Sequence, residues 1–129
     1  MSQPKRHRLG DLQLKIMKIL WSRPEASVND VLAGLGPDAD LAYTTVATML
    51  RKMEVKGLVK HREDGRMFAY RSAVAEDAVT RNMADDLLDK LFAGSLTEMV
   101  QHLLTTREVS KEELARLARL IAERRKKRP

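Results

Sequence analysis

Residues 43–59, YTTVATMLRKMEVKGLV, place three threonines, an arginine and two lysines in a segment whose apolar spacing is helical. Val46, Met49, Leu50 and Met53 follow the i, i+3, i+4, i+7 rule of a helix with one buried side. At about 100° per residue, Thr44, Thr48 and Arg51 fall within about 40° of the opposite pole, flanked by Thr45 and Lys52. Glu54 is the only acid in the segment and lies at the margin of the buried side. Gly57 follows as a C-terminal cap. An ordinary solvated helix face interleaves acids with bases. This face offers hydroxyls, methyls and positive charge alone. Threonine meets base edges and the thymine methyl, arginine pairs with guanine or holds a phosphate, and lysine suits phosphates.

The elements on either side decide between an interface and a bare surface. Upstream, Leu9, Leu12, Ile16, Ile19 and Leu20 predict a helix from Gly10 to Trp21, stopped before Pro24, with Trp21 packed beneath it. Ser27 and Asp30 form a capping-box pattern ahead of Val28, Val31, Leu32 and Leu35, a second short helix ended by Gly36-Pro37. Downstream, two β patterns, Leu58–Arg62 and Met67–Arg71, flank Glu63-Asp64-Gly65-Arg66. Asp-Gly there is a strong signal for a hairpin with a type I′ turn. Phe68 and Tyr70 share one side of their strand and are expected to pack on the helices. Three helices followed by a charged hairpin is the order of a winged helix, in which the third helix enters the major groove and the hairpin touches the flanking backbone. Arg62 and Arg66, with Lys60 and His61, read as a phosphate-contacting wing; the alternative is that these cations only protect a strand edge. Lys5, Arg6 and Arg8 suit an arm toward DNA or a frayed basic terminus.

The rest of the chain reads as helix. Val79, Met83, Leu87, Leu88 and Leu91 form one stripe, closed at Gly94. Ser95–Glu98 and Ser110–Glu113 are capping boxes opening two more helices, one with Leu96, Met99, Val100, Leu103 and Leu104, the other with Leu114, Leu117, Leu120 and Ile121. Three short helices with Phe92 as their only aromatic make a thin core, and units of this size need outside support. Burial against a second copy is the simplest source, through Met83, Leu87, Leu91, Met99, Val100, Leu103, Leu117, Leu120 and Ile121.

The 129 residues are 43% hydrophobic and 33% charged, with a net charge of +6. Residues 1–71 hold 13 Lys/Arg against 8 Asp/Glu, residues 72–123 hold 6 against 10, and residues 124–129 hold 5 against none. The basic charge therefore belongs to the front half and the tip, which favours an anion-binding front domain. The terminal ERRKKR, residues 123–128, adds nonspecific affinity or simply ends a solvated helix. The chain has no cysteine, which excludes disulfides and thiolate metal sites. No apolar run reaches the roughly 18 residues of a membrane span. The start, MSQPKRHRLG, lacks the apolar core of a signal peptide, so a cytoplasmic address is expected.

No enzyme is visible. His7, His61 and His102 fall in three different elements, and no spacing suggests a metal site or an acid–base pair. His61 reads as a surface residue. Asp85, Asp86 and Asp89 read as the solvated face of an acidic helix rather than a metal cluster. There is no phosphate-binding glycine loop, and no cofactor is expected.

Three stretches, LGDLQLKIMKILW (9–21), DLAYTTVATMLRKMEVKGLV (40–59) and REDGRMFAYR (62–71), resemble the penicillinase-repressor family of the BlaI/MecI type, to which the copper-responsive CopY repressors also belong. The similarity continues through FAGSLTEMVQHLL (92–104) and VSKEELARL (109–117). The resemblance implies a homodimeric repressor with an amino-terminal winged helix and a helical carboxy-terminal dimerisation domain, acting on palindromic operators with TACA/TGTA-like half-sites. By motif position it implies operator contacts at Tyr43, Thr44, Thr45, Thr48, Arg51 and Arg66. The β-lactam-responsive members involve a membrane sensor and cleavage at an Asn-Phe bond, for which His102-Leu103 stands here. Copper sensing through paired cysteines is excluded.

The expectation is a mainly α protein: a winged helix-turn-helix over 1–72 and a three-helix dimerisation domain with a basic tail over 73–129. Its partners are double-stranded operator DNA, a second copy and a protease or sensor, with no membrane insertion. The rival reading is a winged helix used as a protein-interaction module, its basic face meeting an acidic protein partner.

Overall fold

The computed structural model describes residues 9–127. Six α-helices and one hairpin follow in the order α1 Asp11–Trp21, α2 Val28–Leu35, a single 3-10 turn Pro37–Ala39, α3 Tyr43–Val55, β1 Val59–Asp64, β2 Met67–Ser72, α4 Glu76–Phe92, α5 Leu96–Thr106 and α6 Lys111–Lys127. The expected arm at Lys5, Arg6 and Arg8, and Arg128 of the tail, lie outside the described residues. The chain divides into two compact units, up to Ala84 and from Asp85 on. The division falls inside α4 rather than after residue 72. Val79, on the second turn of α4, is fully buried, so the helix begins as part of the first unit.

Local chemistry sets the ends of the front helices. The Ser27 hydroxyl accepts from the Asp30 backbone N–H at 3.0 Å, and the Asp30 carboxylate accepts from the Ser27 N–H at 2.9 Å. These two bonds satisfy orphan donors of α2. The Ser27 backbone N–H, and after it the Ser27 side chain, also hold the Asp30 carboxyl below the usual aspartate range. At the end of α3, Gly57 has φ +84. Its N–H donates to the Glu54 carbonyl and that of Leu58 to the Met53 carbonyl, each at 2.9 Å, the paired bonds of a Schellman ending. Leu58 and Met53 are both buried, which supplies the apolar contact that accompanies this motif.

The front core packs Ile16, Met17 and Leu20 of α1, Val28 and Val31 of α2 and Val46, Leu50 and Met53 of α3 around Tyr70 of β2. Trp21 closes its edge, the indole N–H donating to Ser72 Oγ at 3.0 Å and to the Val74 carbonyl at 2.9 Å. The hairpin is antiparallel, with Val59 opposite Ser72 and Asp64 opposite Met67. Its root is extended by Ala26, whose backbone exchanges hydrogen bonds with Tyr70 at 2.8 and 2.9 Å. The turn differs from expectation. This register makes Gly65-Arg66 the two-residue connection, and only Gly65 has positive φ, the sign pattern of a type II′ rather than a type I′ turn. Glycine now stands at the first central position, where type II′ wants it. The expected pairing of Phe68 with the core is also revised: Tyr70 is buried and Phe68 is 41% exposed.

Candidate nucleic-acid interface

Burial of Val46, Leu50 and Met53 fixes the rotation of α3. Thr44, Thr45, Thr48, Arg51 and Lys52 consequently all face solvent, with Tyr43 half-exposed at the start of the helix. Arg51 Nη2 lies 3.4 Å from Thr48 Oγ1 and donates to it, so the two predicted contacts sit side by side. Met49 borders this face, and its sulfur accepts from the Gln13 amide at 3.6 Å. The first turn of α3 has no acid and no side-chain cap. The positive end of its dipole is therefore open to a phosphate.

The structure adds partners to two residues of the wing that the sequence did not reveal. Arg66, in the turn, joins Arg51, Tyr43, Thr44, Met67 and Phe68 in lining a groove of ≈ 360 Å³ between α3 and the wing. Arg62 does not join them. Its Nε and Nη2 donate to the two Glu25 carboxylate oxygens at 2.7 Å each, a fork geometry that commits the guanidinium. The bond from Arg62 holds the Glu25 carboxyl below the usual glutamate range, and Glu25 in turn raises Arg62. His61 is exposed, as the sequence reading has it, and is engaged as well. Its Nδ1 lies 2.6 Å from Glu54 Oε1, and its ring stacks on Phe68 with centroids 4.2 Å apart. Burial, with the Glu54 charge adding to it, pushes the Tyr70 hydroxyl up, so it stays protonated. Glu25 and Glu54 are the residues that sequence reasoning missed. Each is an acid in a basic region, which was a signal, but its partner lies in another element.

The expected dimerisation residues fall as follows. Met83, Leu87 and Leu91 lie on α4, Met99, Val100 and Leu103 on α5, and Leu117, Leu120 and Ile121 on α6. Met83 belongs to the first unit by the division at Ala84. Met83, Met99 and Leu117 are half-buried, while the other six are exposed. No residue described after Val79 is buried. A groove of ≈ 630 Å³ between α5 and α6 is lined by Leu96, Val100, Leu104 and Ile121 together with Thr97, Gln101 and Thr105. His102 and Leu103 sit inside α5, a continuous helix in which Thr105 and Thr106 donate to the His102 carbonyl at 3.0 and 2.8 Å. Among the described residues no group of three or more His, Asp or Glu could hold a metal ion. No described helix is long and apolar enough to cross a membrane.

The family model described as Penicillinase repressor matches residues 9–123. The chain belongs to the penicillinase repressor family. It is similar to the Penicillinase repressor of Bacillus licheniformis, 27% identical over 116 residues that cover 90% of this chain and 91% of the relative. It is also similar to Transcriptional regulator BlaI of Mycobacterium tuberculosis, 36% identical over 118 residues that cover 90% of this chain and 84% of the relative. Among solved structures, the DNA binding domain of the repressor BlaI matches at 28% identity with a TM-score of 0.51, covering 59% of this chain and 93% of that one. The front unit of this penicillinase-repressor homologue is thus a winged helix, with α3 where such folds place the helix that enters the major groove.

Proposed function

We propose that the chain acts as a homodimer on a palindromic operator, with α3 read into the major groove and the tip of the wing on the flanking backbone. As a member of its family it is a DNA-binding transcriptional repressor and not an enzyme. The observation that carries the proposal is the outward face of α3. Five residues, Thr44, Thr45, Thr48, Arg51 and Lys52, are exposed together, and the helix's one acid is turned to His61. Tyr43 and Arg66 complete the contact set at the groove beside it. Arg62 is paired with Glu25 instead.

The second unit supports dimerisation. Leu87, Leu91, Leu120 and Ile121 are exposed without one buried side chain among its described residues, more apolar surface than a short monomeric helical unit sustains in water. A dimer reads two half-sites about one helical turn apart, and the linkage turns two modest affinities into one tight contact. Weakening the dimer releases the operator. Where the resemblance places an Asn-Phe cleavage bond this chain has His102-Leu103 inside α5, a departure that argues against release by the same cleavage, and a sensor or protease acting there would have to unwind α5 first.

Selection from random duplexes by the full chain, followed by binding of the enriched sequence across a salt series, tests the reading. An enriched palindrome bound with steep salt dependence supports it. Salt-insensitive affinity for an acidic protein, with no enriched duplex, supports the interaction-module alternative instead.

A further inference from the structure

Two carboxylates brace the wing from opposite sides. Side chains alternate faces along a strand, so His61 and Arg62 leave β1 in opposite directions. His61 meets Glu54 of α3 at 2.6 Å while stacking on Phe68 of β2. Arg62 is gripped through two 2.7 Å bonds by Glu25, in the connection between α1 and α2. Glu25 immediately precedes Ala26, the residue whose backbone pairs with Tyr70 of β2. The hairpin is thereby tied to the reading helix on one face and to the α1–α2 connection on the other. A two-stranded hairpin alone is only marginally ordered in water, and its tip carries Arg66, which lines the groove with Arg51.

We propose that Glu25 and Glu54 are positioning residues for DNA binding, acting through Arg62 and His61 to aim the wing so that Arg66 stands beside Arg51 at that groove. The proposal rests on the repressor reading above. It runs against simple electrostatics, in which deleting an acid from a unit that binds a polyanion removes repulsion and tightens the complex. It also explains why acids occupy these positions in the basic half of the chain, and why Arg62, the most basic group of β1, is spent on a carboxylate.

The test measures the full chain on a fluorescein-labelled palindromic duplex with TACA and TGTA half-sites, across a salt series. Glu25→Ala and Glu54→Ala are each expected to weaken binding by roughly threefold to fivefold, the scale of a well-formed exposed pair. Each should flatten the log-affinity against log-salt slope by about one per half-site, the value of one phosphate contact. In an Arg66→Ala background neither should have a further effect, since the contact they aim is gone. The exchanged pair Glu25→Arg with Arg62→Glu should restore affinity, separating the brace from a loss of folding. Tighter or unchanged binding by the single variants, or losses that add to that of Arg66→Ala, would overturn the proposal. No salt-dependent duplex binding by the unsubstituted chain would sink the repressor reading first, and this inference with it.

Discussion

At the scale of single residues, the helix endings and the charged pairs make separate, measurable contributions. Gly57 sits at φ +84 with open space around its Cβ position. Gly57→Ala therefore meets no clash and isolates the cost of a left-handed alanine, about 1–2 kcal/mol in urea unfolding. Ser27→Ala removes one half of the α2 capping box and should cost about 1 kcal/mol. Asp30 and Glu25 both have carboxyls held below their ordinary range, by the Ser27 backbone N–H and by Arg62 respectively. A depressed folded-state pKa stabilises the fold above the unfolded-state value, and the contribution is lost as pH falls through the folded-state value. Thermal unfolding from pH 7 downward should accordingly show a constant contribution from both groups until the ordinary carboxylate range is reached, then a decline. Replacing Asp30 by Asn should remove its share of that decline.

At the scale of elements, the signals legible in the sequence were those in which one helix or turn contains both partners. The apolar periods of α1, α2 and α3, the Ser27–Asp30 box and the Gly57 ending all close within a few residues. The outward rotation of α3 followed from the same period, so Thr44, Thr48 and Arg51 emerged together. The hairpin was visible, but its register was not. Asp64-Gly65 and Gly65-Arg66 are both acceptable turn centres, and the choice falls to Tyr70, which must enter the core and pair with Ala26. The Arg62–Glu25 pair was hidden for the same reason: Glu25 lies 37 positions away, beyond any local pattern. Nothing in the spacing of α4 reveals that Val79 is buried or that the residues up to Ala84 cluster with the first unit. Leu50→Ala, which empties a fully buried site on the hidden side of α3, should cost about 2–5 kcal/mol by denaturant unfolding.

At the scale of the whole molecule, the account requires two reading units joined through the second unit. A chain ending at Ala84 keeps Val79 and the whole wing, and should remain folded as a monomer that binds a single half-site. Its sedimentation should be independent of concentration, whereas the full chain should show a dimer and a melting temperature that rises with protein concentration. Full-palindrome affinity matching that of the intact chain would refute the coupling. The claim on which the rest stands is that the acid-free face of α3 enters duplex DNA. Titration of the enriched palindromic duplex with the intact chain and with its Arg51→Ala variant, at matched salt and with matched melting curves, tests it most directly. The account predicts a loss of about 1–3 kcal/mol per half-site for the variant, with relaxed preference at one base position. Equal affinity and an unchanged sequence preference for the two proteins would contradict it.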